Sequence, residues 1–347
     1  MPFVPSPLLP GGIVTSLYPE GTCTLNAARV DEPEVYNLGN YAPGDRIHTI
    51  TNVHSPSFEL YQARSPAPIT GTCAILVPGG GNRVLGVGSC VDLVPTLGAF
   101  GVATVILRCR LRSDGYDMSK DALQDTLRCV QLVRERAEEW GLDPKRIGVV
   151  GFSAGATHSG SAATEYPAYD ARTATELGGT PATTSRPDFV GLLFPGPTLF
   201  ETAESKALTA LGFGRFAGMT AAGAESQAAL ENQRELEIAD RDGPPTIPAD
   251  VPPSFLASPG PGDKIHAAWA LEFYSAMLFA GVPNIELILY TPPPHNIDGT
   301  ATYKFIVQQF STYKNVRCGL YGAGTRKGCM GSCRRARAEL ALGTLGF

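Results

Sequence analysis

Short, continuous apolar runs recur along the chain, separated by stretches whose hydrophobic positions repeat every three to four residues. Ser57 to Gln62 (SFELYQ), Ala74 to Val77 (AILV), Val102 to Leu107 (VATVIL), Ile147 to Val150 (IGVV), Asp188 to Phe194, Phe255 to Ala257 and Ile285 to Tyr290 (IELILY) all read as strands. Asp121 to Trp140 has Leu123, Leu127, Val130 and Ala137 on one face and charges on the other, the period of an amphipathic helix. Arg134 and Glu138 within it are spaced as a reversed i,i+4 pair of small effect. Ala267 to Phe279 reads as a further amphipathic helix. Strands alternating with helices predict an α/β fold: a mostly parallel central sheet with helices on both faces, VATVIL lying parallel to AILV across a helical crossover.

The same pattern divides the chain. Residues 1–45 are rich in Pro and Gly with no sustained period, and are expected to drape over the domain as an irregular extension. Residues 46–315 form the expected domain. Within it, residues 196–251 carry Ala/Glu-rich helical stretches (SKALTALGF, AESQAALENQRELEIA) and read as a small helical insertion, either a lid over the carboxyl edge of the sheet or a hairpin shielding it. Phe194, Leu199, Phe200, Phe213 and Phe216 are candidates for an apolar pocket there or for the core. Residues 316–347 are a Gly/Arg/Cys-rich tail, flexible or weakly helical at its end.

Chemistry enters at Arg146 to Ala163, RIGVVGFSAGATHSGSAA. Here Gly151-Phe152-Ser153-Ala154-Gly155 joins a β-branched strand to a small-residue helical stretch. A serine at such a strand-to-helix turn needs a strained backbone, and the positions two residues to either side must be nearly free of side chain for strand and helix to approach. Gly151 and Gly155 meet that demand, and the five residues match the nucleophile elbow of α/β-hydrolases, with Ser153 as nucleophile.

A second strand, AILV, runs into three glycines, Gly79, Gly80 and Gly81. Acyl transfer places negative charge on a former carbonyl oxygen, and backbone N–H groups unobstructed by side chains can stabilise it. Gly80, Gly81 and Ala154 are the expected donors, Ala154 from the positive end of a helix. A phosphate-cradling loop is the alternative, but no Gly-Lys-Ser/Thr and no Gly-Xaa-Gly-Xaa-Xaa-Gly follows.

The order serine, acid, histidine then selects partners. Of the five histidines, His48 and His54 precede the glycine loop. His158, in the helix after Ser153, is expected to pack beneath the site. His295 follows IELILY in a Pro-rich loop (TPPPHNID), where an imidazole can hang over the carboxyl end of the sheet. Asp263 lies in a Gly/Pro loop before a helix and can orient that imidazole, and Asp250 and Asp298 are alternatives to it.

With these residues in hand, the chain resembles the serine esterases of the BD-FAE and acetyl-xylan-esterase-like group of α/β-hydrolases, from about Ile50 to Phe310 with a poorly matched centre. The resemblance is carried by AILVPGGGNRVL, DALQDTLRCVQLVRERAEEWGLDPKRIGVVGFSAGA and PPSFLASPGPGDKIHAAWALEFYSAMLFAGVPNIELILYTPPPH. It implies the α/β-hydrolase fold, Ser153 as nucleophile, His295 as general base and acid, Asp263 as its orienter, and no metal or organic cofactor. It further implies hydrolysis of short-acyl esters such as acetylated sugars, or of hydroxycinnamoyl esters, with a small molecule or oligosaccharide as the substrate. Asn82 and Phe152, beside the glycine loop and the nucleophile, are the expected substrate-binding positions. This chain departs from the group at Asn82, where Tyr or His is usual, at Cys90-Val91 for Glu-Gly, at Ala156-Thr157-His158 for Gly-Gly-His, and at His295-Asn296 for His-Gly. An amidase or peptidase of the same fold, a lyase or acyltransferase reusing the triad, and a non-catalytic binding protein are the rival readings.

Composition narrows the partners. With 43% hydrophobic and 18% charged residues the 347-residue chain can bury a large core. A net charge of -5 and a pI near 5.6 argue against nucleic acid or an anionic membrane as partner, and no apolar run is long enough to span a bilayer. The start, MPFVPSPLLPGG, is interrupted by prolines and lacks a basic n-region, and no Asn-Xaa-Ser/Thr sequon occurs. A cytoplasmic location is expected, or a secreted one if a signal peptide has been removed. Cys23, Cys73, Cys90, Cys109 and Cys129 are scattered through strand and helix patterns and are expected to be reduced. Cys318, Cys329 and Cys333 in the tail lack the spacing and fourth ligand of a zinc site.

Overall fold

The apolar runs become the strands of one sheet. In the computed structural model, which describes residues 6–21, 23, 25, 26, 28–38, 47–63, 68–176, 183–196, 247–259 and 264–290, the chain runs as follows. It forms β1 (Ile13–Ser16), β2 (Val35–Leu38), β3 (Ile47–Thr51), β4 (Ser57–Tyr61), β5 (Cys73–Val77), α1 (Gly88–Gly98), β6 (Ala103–Arg108) and α2 (Leu123–Glu135). There follow β7 (Ile147–Phe152), α3 (Ala154–Glu176), β8 (Val190–Leu193), β9 (Ser254–Pro259), α4 (Lys264–Phe279) and β10 (Ile285–Tyr290). Eight strands pair in the order β1-β4-β6-β5-β7-β8-β9-β10. The pairings from β6 through β10 are parallel, whereas β1 and β4 run antiparallel at one side. This is the mostly parallel sheet that the alternation predicted. Every residue of β5, β6, β7 and β8 is buried, as continuous apolar strands require when both faces are covered.

The helices follow from the strand order. The crossover through α1 goes from β5 outward to β6, and the crossover through α2 returns past β5 to β7. Travelling in opposite directions, two right-handed connections lie on opposite faces of the sheet. On the α2 side, α3 packs along α2 and meets α4 at Gly160, where a Cβ would stand 2.9 Å from the Phe273 ring.

Three expectations change. Residues 1–45 are not irregular throughout: β1 pairs with β4, and β2 pairs with β3 in a separate two-stranded sheet. The N-terminal segment is also tied down by Glu59 on β4, fully buried, which accepts the Leu8 N–H at 2.8 Å and pairs with Arg108 on β6. The helix expected at Asp121 to Trp140 begins as a π turn over Met118–Ala122, capped by Asp117 accepting from Ser119 N at 2.8 Å, and its α-helical part ends at Glu135. Arg134 does not pair with Glu138; its guanidinium reaches Asp188 Oδ2 at 2.8 Å and the carbonyls of Pro144 and Arg186, both at 2.8 Å. Residues 197–246 of the expected insertion, with Leu199, Phe200, Phe213 and Phe216, lie outside the described residues, as does the tail at 316–347. No helix among the described residues is long and apolar enough to cross a membrane.

Candidate active site

Ser153 is the residue between the end of β7 and the start of α3, and its φ of 52° puts a non-glycine residue in the left-handed region. Such a conformation costs roughly 1–2 kcal/mol for an L-residue and persists only where surrounding contacts impose it. Those contacts are present on both sides of the turn. Ser153 N donates to Leu193 O at 3.0 Å, and Ser153 O accepts from Ala156 N at 2.9 Å and Gly196 N at 3.0 Å. The side chain is half-buried, and Oγ bonds to none of the described residues.

The flanking glycines are explained by distance. A Cβ on Gly151 would stand 2.2 Å from Gly155 O and 2.5 Å from Ala156 Cα; one on Gly155 would stand 2.2 Å from Val77 O and 2.4 Å from Pro78 O. Strand, turn and helix therefore touch backbone to backbone. The glycine loop closes on the same point, since a Cβ on Gly79 would lie 2.6 Å from Phe152 O and 3.0 Å from Ser153 Cβ.

Beyond Gly79 the loop turns through three consecutive residues with positive φ: Gly80 at 126°, Gly81 at 62° and Asn82 at 59°. Gly80 O accepts from Arg83 N at 3.1 Å, and Gly79 O accepts from Gly86 N at 2.7 Å. Among the described residues, none accepts a hydrogen bond from the backbone N–H of Gly80, Gly81 or Ala154. Ala154 opens α3, so its N–H also lies at the positive end of the helix. Two segments distant in sequence thus bring N–H donors with no acceptor among the described residues to the neighbourhood of one strained serine.

Asn82 and Phe152 take different positions around it. Asn82 is buried, and its Oδ1 lies 2.9 Å from His158 Nε2 on α3. Phe152 is buried in the core, its ring 6.2 Å from that of Phe194. Phe194 follows β8 with a φ of 40°, and packs edge-on against His266, which packs edge-on against Trp269. The sequence leaves Phe194 open between an apolar pocket and the core; in the structure it is buried against Phe152. Nothing in the sequence pairs Asn82 with His158, although an asparagine after three glycines and a histidine among small helical residues both stand there.

Asp263 and His295 lie outside the described residues. The strands that precede them, β9 and β10, run parallel to β7, so their carboxyl ends fall on the same edge of the sheet as Ser153. Asp250 does not: it precedes β9 at the amino edge, where Tyr166 donates to its carboxylate and Arg186 Nε lies 3.2 Å from Oδ2. Among the described residues no group of His, Cys, Asp or Glu is arranged to hold a metal.

A glycine-hinged serine at the end of a central parallel strand, followed by a helix and facing a glycine loop from the neighbouring strand, defines the α/β-hydrolase fold. No family model and no curated protein matches the chain. Among solved structures it is similar to the acetyl ester-xyloside bifunctional hydrolase of Caldicellulosiruptor lactoaceticus, with 22% identity over 91% of this chain and 100% of that one, and a TM-score of 0.55. It is likewise similar to an esterase of Thermogutta terrifontis with propionate bound, at 15% identity over 92% and 98% of the two chains and a TM-score of 0.53. A lipase/esterase of Lactobacillus plantarum matches at 18% identity over 77% and 96%, with a TM-score of 0.51. The chain has the α/β-hydrolase fold these proteins share.

Proposed function

We propose that the chain is a serine carboxylic-ester hydrolase working through a covalent acyl-enzyme. The observation that carries this reading is Ser153, held at a φ of 52° beside a loop and a helix start where the Gly80, Gly81 and Ala154 N–H groups donate to none of the described residues. In the proposed reaction His295 takes the proton of Ser153 Oγ as the oxygen attacks the ester carbonyl, and Asp263 holds the imidazole in the required tautomer. The N–H groups of Gly80, Gly81 and Ala154 receive the negative charge that develops on the carbonyl oxygen. Collapse of the tetrahedral adduct expels the alcohol with the proton from His295. A water molecule deprotonated by the same imidazole then cleaves the acyl-enzyme, releasing the acid and restoring the serine. No metal or organic cofactor takes part.

Short acyl groups are the proposed substrates. Two similar solved structures support this by what their names state of those proteins: action on an acetyl ester in one, bound propionate in the other. The test is hydrolysis of p-nitrophenyl acetate, butyrate and octanoate, with Ser153→Ala as control. Turnover that falls with chain length and drops by several powers of ten in Ser153→Ala and His295→Ala is expected. Full turnover in Ser153→Ala would end the proposal. Labelling of Ser153 by a fluorophosphonate without turnover of any ester would move the reaction to an amide or an acyl acceptor other than water.

A further inference from the structure

We infer that His158 is a positioning residue for the oxyanion loop, acting through its hydrogen bond to Asn82; the inference rests on the hydrolase reading for its catalytic consequence but not for its structural one. The loop needs an external hold. Gly80, Gly81 and Asn82 stand at φ of 126°, 62° and 59° in succession, and the last of them is not a glycine. Asparagine tolerates this region better than most residues, yet a run of three such residues has little conformational preference of its own.

The hold comes from α3. His158 Nε2 lies 2.9 Å from Asn82 Oδ1, with both side chains buried. A carboxamide oxygen only accepts, so the ring nitrogen is the donor. From the other side Ser113 N donates to Asn82 O at 3.3 Å and Ser113 Oγ to Arg83 O at 2.9 Å. Ala154, the third oxyanion donor, begins the helix that carries His158. The bond therefore fastens the loop donors and the helix donor to one rigid element. Donors placed for developing charge must keep their positions during the reaction, since reorganisation at that moment weakens them. Such a residue raises kcat and leaves ground-state binding alone.

The measurement uses the full chain and p-nitrophenyl acetate. His158→Ala is expected to lower kcat about tenfold to a hundredfold with KM changed less than about threefold, as for loss of transition-state stabilisation alone. His158→Gln, which keeps a donor at similar reach, should recover most of that loss. Asn82→Gly removes the carboxamide while keeping the backbone free to adopt positive φ, and should reproduce the loss in a protein that does not depend on the buried histidine for folding. The double variant should lose no more than either single one, because both remove the same bond. Additive losses, or kcat within twofold of the parent in folded His158→Ala or Asn82→Gly, would overturn the inference and leave the pair as packing alone.

Hydrogen exchange separates this failure from failure of the hydrolase reading. The N–H groups of Arg83, Val84 and Gly86 bond within the loop, and their exchange should quicken about tenfold in His158→Ala and Asn82→Gly but not in His158→Gln. Unchanged exchange would overturn the inference. A parent chain that turns over no ester would refute the ester-hydrolase reading, and the exchange result would still decide whether His158 holds the loop.

Discussion

Arg110 and Asp125 meet as a two-pronged ion pair inside the protein: Nε lies 3.0 Å from Oδ2 and Nη2 lies 2.7 Å from Oδ1, with both side chains buried. The carboxylate also accepts the Arg110 N–H at 2.9 Å and the Tyr18 hydroxyl at 3.0 Å. One side chain on α2 thereby fixes the chain leaving β6 and a residue of the N-terminal segment.

Asp125→Ala is expected to destabilise the fold by about 3–5 kcal/mol, because it leaves a buried guanidinium without its main partner. Asp121, whose Oδ1 lies 2.7 Å from Arg110 Nη1 at a more exposed position, should cost less when replaced by alanine. Urea unfolding of the two variants at neutral pH checks the order. Equal losses would mean that Asp121 carries as much of the guanidinium's stabilisation as Asp125.

Strain at the nucleophile gives a second expectation. Glycine accepts a φ of 52° without penalty while alanine does not. Ser153→Gly should therefore be more stable than Ser153→Ala by about 1 kcal/mol, with turnover absent from both. Thermal denaturation of the pair reads the difference, and a Ser153→Ala variant of equal or greater stability would deny that the turn is strained.

Gly155→Ala is the steric counterpart. Its Cβ would sit against two backbone carbonyl oxygens at the end of β5, which cannot swing aside as a side chain can. A loss of about 1–3 kcal/mol is expected from overpacking, with turnover falling further as the serine is displaced. Comparison of unfolding midpoints with turnover per folded molecule separates the two effects.

Buried thiols set the alkaline limit. Burial pushes Cys109 up to about 12 and raises Cys73, Cys90 and Cys129 well above their ordinary value near 9. In the folded state these groups keep their protons at pH values where the unfolded chain loses them. Their contribution is whole below pH 9 and is lost as the pH rises toward the folded values, at about 1.4 kcal/mol per thiol for each pH unit. Denaturant midpoints at pH 8 and pH 10 should show this fall, and replacing Cys73 and Cys129 by alanine should flatten it. An undiminished slope in that double variant would place the alkaline loss in other groups.

The parts of this fold that can be read in the sequence are those set by local constraint. Gly151, Gly155, Gly79 and Gly80 mark close backbone approach and Gly81 a positive φ, and the runs AILV, VATVIL and IGVV announce strands covered on both faces. β1 is not legible in the sequence because its four residues, Ile13–Ser16, lie among prolines and glycines, and their strand character comes from pairing with β4. The end of α2 is hidden in the sequence because Ala137 continues the apolar stripe in turns that are no longer α-helical. Arg134, Arg108 and Arg110 look like surface charges in sequence; only the folded chain brings them to Asp188, Glu59 and Asp125. Asn82 and His158 are separated in the same way, 76 residues apart and in hydrogen-bond contact.

The place of β5 in the sheet has a consequence for synthesis. β5 pairs on one side with β6, made soon after it, and on the other with β7, which ends at Phe152 immediately before the serine. Until the ribosome has delivered residue 152, one edge of the central strand is open to pairing with another chain, and the glycine loop has no wall to rest against. Arrival of β7 covers the β5 edge, passing the open edge outward to β7 until β8 is made, and the same step brings the serine to the loop.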